Sequence, residues 1–525
     1  MNASERQALK TSERQSGILC HLTCMPSRFG IGDMGAGVRQ FLDFLQDAGQ
    51  TLWQILPLGP TGYGNSPYQP FSAFAGSPLL IDLEQLVTEG LLNEDDFAPS
   101  FSLPADEVLY DKVREFKDLA LRRSYQNFLD SRSESLKRAQ KAFEERNDFW
   151  LEDFGLFMAL KRHFDDAVWT DWDRDIALRE HRALAYWRER LNKEVDYQKY
   201  LQFLFDRQWR RVRAYAHERG IEILGDVPIF VGHDSADVWS HRELFRLDED
   251  GSPTVVAGVP PDYFSPTGQL WGNPHYRWDV MRGNSYAWWA SRLASTFSRV
   301  DKIRMDHFRG FAGYWEIPAD AETAASGRWV RGPGAHFFQT LKEELGELPI
   351  IAEDLGVITK DVEELRKAFG FPGMKVLQFA FGSDATNTAL PHNYVPNMVA
   401  YTGTHDNDTS LGWYDSLDEE TKHKVRVYTG TDGSNINWTL MRLAMISVAK
   451  IVIFPLQDVL GLGTEARLNV PGKPQGNWTW RYRAENLDEG IAETLRELSA
   501  ASGRWINGKE EERRRLFPEI SYAEP

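Results

Sequence analysis

The stretch Gly17–Pro57, GILCHLTCMPSRFGIGDMGAGVRQFLDFLQDAGQTLWQILP, decides the fold. Gly17–Cys20 reads as a short apolar strand. Val38, Phe41, Leu42 and Leu45 then fall at i, i+3, i+4 and i+7, the spacing of one helix face, and Gly49 stops that helix. A second apolar run, Leu52–Leu56, ends at Pro57. Strand, helix and strand at this spacing predict a parallel βα unit.

The pattern repeats along the chain. Strands are expected at Ile221–Leu224, in the run leading to Asp306, in the run leading to Glu353, and at Lys375–Phe379, Met398–Tyr401 and Ile451–Phe454. Helices are expected near Trp288–Phe297, Phe337–Leu345, Lys360–Ala368 and Leu440–Ala449. Eight strands, most separated by helices, predict one (β/α)8 TIM barrel spanning the chain, with large insertions after strands two and three. The first insertion covers about residues 58–195. It joins a Gly/Pro/Tyr-rich loop to a helical stretch, for Ala105–Arg219 contains no proline and one glycine, Gly155. The second covers about residues 231–285 and reads as loops.

Four acids fall at the ends of the expected strands: Asp226, Asp306, Glu353 and Asp406, on strands three, four, five and seven. That is the end where barrels of this kind carry their chemistry. In Lys302–Phe308, Arg304 and Asp306 are two apart and share a strand face, so the guanidinium should hold the carboxylate ionised, as a nucleophile requires. Glu353 follows Pro349-Ile350-Ile351-Ala352, with no cation beside it on the strand, which suits a protonated acid. Glu353 and Asp354 are adjacent and point to opposite faces, and the residues alone leave open which is the acid. An ionised carboxylate, a protonated one and a third acid nearby form the equipment of a retaining glycosidase, with the first two about 5–5.5 Å apart.

Composition narrows the partners. The chain of 525 residues carries a formal charge of −17 and has a pI near 5.3, which argues against nucleic acid or an anionic membrane. No run of about eighteen apolar residues is present, and the start MNASERQALKTSERQ is charged, so the sequence predicts a cytoplasmic protein without a signal or anchor. Cys20 and Cys24 are the two cysteines and read as free thiols. No phosphate loop, metal-ligand cluster or Ser/His/Asp triad stands out, so no cofactor or metal is expected. Eighteen Trp, eighteen Tyr and thirty Phe exceed what a core explains, because several lie in loop-like segments: Tyr63 and Tyr68, Tyr263, Phe264 and Trp271, Trp478 and Trp480. Rings in loops beside Asn, Gln and Asp suit the mixed faces of sugars.

Several long segments resemble the 4-α-glucanotransferases of glycoside hydrolase family 77: GILCHLTCMPSRFGIGDMG, GDVPIFVGHDSADVW, VAGVPPDYFSPTGQLWGNPHYRW, IRMDHFRG, IAEDLG, FPGMKVLQFAF, YTGTHDNDT and PLQDVLGLGTEARLNVPGKPQGNWTWR. The resemblance covers nearly the whole chain and implies an α-amylase-type barrel. It implies Asp306 as nucleophile, Glu353 rather than Asp354 as acid/base, and Asp406 as stabiliser of the transition state. Asp226, Arg304, His307 and His405 would surround the donor sugar. Tyr68, Asp262, Tyr263, Gln269, Trp271, Phe379 and Asn469 would line the glucan groove, and Tyr63 is a further aromatic candidate there. The excursion Gly258–Thr267, stiffened by Pro260 and Pro261, would present Tyr263 and Phe264 to the acceptor. The substrates implied are malto-oligosaccharides and soluble α-glucans, since neither a large N-terminal extension nor a starch-binding module is visible. The same carboxylates serve a hydrolytic α-glucanase; transfer is what the resemblance implies.

Overall fold

The computed structural model describes residues 14–97, 103–261, 265–473 and 475–505. Among these residues lie twelve strands: β1 (Gln15–Leu19), β2 (Leu52–Gln54), β3 (Glu222–Pro228), β4 (Val255–Val259), β5 (Gln269–Pro274), β6 (Lys302–Asp306), β7 (Gly313–Pro318), β8 (Arg328–Arg331), β9 (Ile350–Ala352), β10 (Gly373–Val376), β11 (Met398–Tyr401) and β12 (Ile451–Pro455). Eight of them form one sheet in the order β10-β11-β12-β1-β2-β3-β6-β9, every pair parallel. The two ends of the sheet meet. The Ala352 N–H donates to the Pro372 carbonyl at 2.9 Å. Asp354 accepts the Met374 N–H at 2.7 Å and ion-pairs with Arg366 at 3.1 Å. This closes the (β/α)8 barrel expected from the sequence.

The opening motif shows why the strands sit so close. A Cβ on Gly17 would lie 2.4 Å from the Leu52 carbonyl oxygen, so only glycine lets β1 approach β2 at that register. The helix Ala36–Asp47 buries Val38, Phe41, Leu42 and Leu45 against the barrel. Ile18, Trp53, Ile303, Val399 and Ile453, one or more from each of five barrel strands, are fully buried. Cys20 and Cys24 are free thiols in this core.

After β2 comes a loop, then the helices Tyr110–Asp130, Glu134–Arg146, Asp148–His163 and Asn192–Glu218. Lys117, fully buried, anchors the helical layer by donating to the carbonyls of Leu79 and Ile81 at 2.7 and 2.8 Å. The stretch after β3 is more ordered than loops. It contributes β4 and β5 to a second, antiparallel sheet of order β5-β4-β7-β8. Its other two strands come from Gly313–Arg331, after the fourth barrel strand, a hairpin the sequence reading did not include. Barrel strand six also stops earlier than expected, at Val376, and the chain turns into a 3-10 helix at Leu377–Phe379. No helix among the described residues is long and apolar enough to cross a membrane.

Candidate active site

β3 and β6 pair in register, with Asp226 opposite Arg304 and Pro228 opposite Asp306. Arg304 is almost fully buried and forks between two carboxylates. Nη1 donates to Asp226 Oδ2 at 2.6 Å and Nη2 to Asp306 Oδ1 at 2.7 Å. The i, i+2 pairing of Arg304 with Asp306 is as the alternation predicts, and Asp226 completes the fork.

The chain then turns sharply. His307 has φ of +51°, a left-handed conformation that is uncommon outside glycine and concentrates at functional sites. The turn ends β6 at Asp306 and swings the His307 N–H toward Glu353, whose Oε2 it reaches at 2.8 Å. Glu353 Oε1 accepts the Leu355 N–H, also at 2.8 Å. The peptide that follows Asp306 therefore fixes the other principal carboxyl. Asp354 points away to the barrel seam, so the two adjacent acids do face opposite sides.

The third acid stands on the loop after β11. Asp406 Oδ1 accepts from Asn469 Nδ2 at 2.6 Å, and the Asp406 carbonyl accepts from Arg467 Nη2 at 2.7 Å. His405 Nε2 lies 3.4 Å from Asp406 Oδ2. Tyr68 ties this side to the first: its hydroxyl donates to Asp226 Oδ2 at 2.8 Å, and its ring stacks on His405 with centroids 5.0 Å apart. On the opposite wall the Trp271 ring meets His307 edge-on at 4.8 Å, and its indole N–H donates to Gln269 at 3.1 Å.

Burial governs the electrostatics. Desolvation pushes the Asp306 carboxyl up to about 7; Arg304 pulls it down, while Asp226, Glu353 and Asp406 add to the rise. The guanidinium is shared between two carboxylates, so burial first and the neighbouring acids second oppose the pull toward the ionised form that the sequence leads one to expect from Arg304. Burial raises Glu353 as well, against Arg304 and the two peptide N–H donors. His307 is lowered to about 3 and His405 is lowered too, both mainly by burial, so these imidazoles are neutral near pH 7. Burial thus favours the protonated forms of Asp306 and Glu353 and the neutral forms of the two imidazoles.

The structure thus joins Asp226, Arg304, Asp306, His307, Glu353, His405, Asp406, Asn469, Tyr68, Trp271 and Gln269 in one network of contacts. Phe379, half exposed, sits just past β10, at the barrel end that carries the acids. The backbone of Tyr63 lies in a turn after β2. Asp262 and Tyr263 lie outside the described residues. Trp478, one of the loop rings named from the sequence, and two residues not named there also belong to the site. Trp478 packs on Tyr68 and His405 at 6.1 and 6.0 Å. Arg467 holds both Asp406 and the Asn469 carbonyl. His21, next to β1, is buried and lowered to about 3, with His405 contributing. The spacing of Arg467 and Asn469, two apart, is the one sequence signal that could have found either Arg467 or His21. No group of three potential metal ligands occurs among the described residues.

A parallel barrel with carboxylates converging at its C-terminal rim defines a glycoside-processing enzyme. Comparison with known proteins gives the family. The family model for glycoside hydrolase family 77, described as 4-alpha-glucanotransferase, matches residues 20–487. The 4-alpha-glucanotransferase of Synechocystis sp. is 50% identical over 500 residues, 94% of this chain and 99% of that protein. That of Thermus thermophilus is 48% identical over 499 residues, with 94% and 99% covered. Among solved structures, the amylomaltase from Streptococcus agalactiae in complex with acarbose superposes with a TM-score of 0.91 at 41% identity, covering 94% of this chain and 100% of that one. The chain belongs to glycoside hydrolase family 77, and the reaction it catalyses is 4-alpha-glucanotransfer.

Proposed function

We propose that transfer proceeds with retention, through a covalent glycosyl-enzyme on Asp306, and that the donors and acceptors are malto-oligosaccharides and soluble α-glucans. The observation that supports this reading is the join between the two acids: Arg304 orients Asp306, and the N–H of the next peptide orients Glu353. In the first step Glu353 gives its proton to the glycosidic oxygen as the C–O bond breaks, and Asp306 attacks the anomeric carbon from the opposite face. The shortened glucan leaves with that proton. In the second step Glu353, now a carboxylate, takes the proton of an acceptor 4-hydroxyl. The acceptor oxygen attacks the anomeric carbon and releases Asp306, restoring the α configuration. Asp406, steadied by Asn469, accepts hydrogen bonds from ring hydroxyls that strengthen as the ring flattens.

Substrate binding suits this electrostatic state. With the Asp306 carboxyl raised to about 7, its protonated form lowers repulsion in the free site, and a sugar whose anomeric carbon develops positive charge beside Asp306 favours the ionised form of that residue. Incubating the enzyme with maltotriose should give glucose plus oligomers longer than maltotriose. Glucose and maltose alone would overturn transfer. Glu353→Gln given an α-maltosyl fluoride donor should accumulate a maltosyl ester on the Asp306 peptide by mass spectrometry. Its absence, with fluoride still released, would overturn the covalent step.

A further inference from the structure

We propose that Asp458 positions Asp406 for catalysis by clipping together the two ends of the loop that carries it; this rests on the reading of Asp406 as the acid that stabilises the transition state. The three acids of the mechanism lie at or just after the ends of β6, β9 and β11. The last barrel strand, β12, is followed by a buried carboxyl that the chemistry does not use. Asp458 sits in the short helix Leu456–Val459 and is 1% exposed.

The clip is symmetric about the acid. Asp458 Oδ2 accepts the Thr402 hydroxyl at 2.5 Å and the Ser410 hydroxyl at 2.7 Å, and Oδ1 accepts the Ser410 N–H at 2.6 Å. Thr402 directly follows β11, and Ser410 opens the helix Ser410–Ser416. Both are fully buried, and Asp406 lies four residues from each. The same short helix also holds the facing segment. Gln457 Nε2 donates to the Ala466 carbonyl at 3.2 Å, beside Arg467 and Asn469, which reach Asp406. Thr464, on that segment, donates to Asp408 Oδ2 at 2.9 Å. Two adjacent side chains therefore hold the two segments that meet at Asp406.

Asp406 needs this support because packing does not supply it. Its side chain is 45% exposed, so its place is set by its backbone and by the few polar groups that reach it. Contacts that tighten only in the transition state are sensitive to placement, and a shift of about 1 Å costs rate more than binding. A carboxylate suits the clip better than an amide. All three partners donate, so both oxygens serve as acceptors, whereas asparagine would turn an NH2 toward one side. The two hydroxyls can rotate to accept from it; the Ser410 N–H cannot. Asparagine should therefore keep part of the clip, and alanine none of it.

The test is a double-mutant cycle run throughout with an α-maltosyl fluoride donor and a maltotriose acceptor. With Asp406 intact, Asp458→Ala should lower kcat about 100-fold and Asp458→Asn about tenfold, with KM within about threefold. In the Asp406→Asn background, Asp458→Asn should cost less than about twofold more, because the acid it positions is already gone. A tenfold loss in both backgrounds would overturn the proposal, since Asp458 would then support the fold or another group. Near wild-type kcat in Asp458→Asn and Asp458→Ala would overturn it as well. Thr402→Val removes one arm of the clip and leaves Asp458 in place. It should lower kcat about threefold to tenfold with Asp406 intact and less than about twofold in the Asp406→Asn background, so the proposal stays open to refutation even where Asp458→Ala does not fold. Near wild-type turnover in Asp406→Asn alone would instead break the reading of Asp406, so the two failures are distinct.

Discussion

Two buried arginines at opposite ends of the barrel show how differently one side chain is used. Arg304, at the C-terminal rim, binds two carboxylates. Its Nε, Asp226 Oδ1 and nearby His307 Nε2 are buried without a hydrogen-bond partner among the described residues. Arg504, fully buried at the other end, spends all five donors on carbonyls: Nε on Met445, Nη1 on Gln15 and Lys450, Nη2 on Ser447 and Ala449. No carboxylate among the described residues pairs with it, and burial lowers it to about 9. Arg504, just past the helix Glu489–Ala501, ties that segment to the starts of β1 and β12 with every group satisfied. The rim around Arg304 keeps unmet polar atoms and crowded acids, an arrangement useful only when a substrate completes it. Stability resides at one end and chemistry at the other.

The largest expected effect is at the rim. Asp306→Asn should cut transfer by at least about 10⁴-fold while glucan binding persists, measured by maltotriose disproportionation and by titration with a long oligosaccharide. Near wild-type turnover would remove Asp306 as the nucleophile. The same change should stabilise the free enzyme. Folding raises this carboxyl from about 4 to about 7, so its contribution is fully present below about pH 4 and is lost as pH rises through 7. Asn cannot ionise. The variant should therefore melt above wild type at pH 8, and the gap should close below pH 4. A lower Tm at pH 8 would mean that Asp306 is part of the scaffold.

Next in size, Glu353→Gln should cost about 10²- to 10⁴-fold with a natural donor, and far less in the first step with a glucosyl fluoride, whose leaving group needs no proton. Equal loss with both donors would remove Glu353 as the acid. Arg304→Lys keeps the charge but loses the fork. Losing one charge-assisted hydrogen bond is worth about 1.5–3 kcal/mol, or about 10- to 100-fold in kcat/KM. Arg504→Met should lower Tm and leave kcat/KM at 25 °C within about twofold. If Arg504→Met lost activity as Arg304→Lys does, the two ends would not be separable.

The same contrast explains what could be read beforehand. Apolar runs stopped by glycine or proline marked several barrel strands, such as Leu52–Leu56, Ile221–Leu224 and Ile451–Phe454, because a strand buried on both faces needs little more than that. The acids at the strand ends followed from counting, and Arg304 beside Asp306 from alternation. The β7/β8 hairpin was invisible because four- to six-residue strands carrying Trp, Glu and Arg acquire their register only from β4, more than fifty residues earlier. The left-handed His307 was hidden too, since neither glycine nor asparagine announces it. Arg504 sits in a polar segment near the C-terminus, and only its carbonyl cage explains its burial. The surroundings of Asp306 were out of reach for a related reason: a near neighbour shows in the sequence, but the burial and the second claimant on Arg304 do not.

The smallest effect is the sharpest probe of the crowded rim. Asp306 must be ionised to attack, and in the free enzyme its carboxyl sits at about 7, so kcat/KM should rise with pH through an acid limb near that value. Asp226 raises Asp306 in two ways: it adds a negative charge, and it takes one arm of the Arg304 fork. Asp226→Asn preserves shape and can still accept the Tyr68 hydroxyl. It removes the charge and loosens the claim on Arg304, and both changes favour ionised Asp306. The acid limb should therefore move to lower pH, with a loss at the optimum smaller than that of Arg304→Lys. Tyr68→Phe, which removes the hydroxyl and leaves the charge, serves as the control and should not lower the limb. A limb that stays in place in Asp226→Asn would show that burial alone sets the Asp306 carboxyl. A limb that moves upward would show that Asp226 acts by holding Arg304 against Asp306, so that the fork, rather than competition within it, governs the nucleophile.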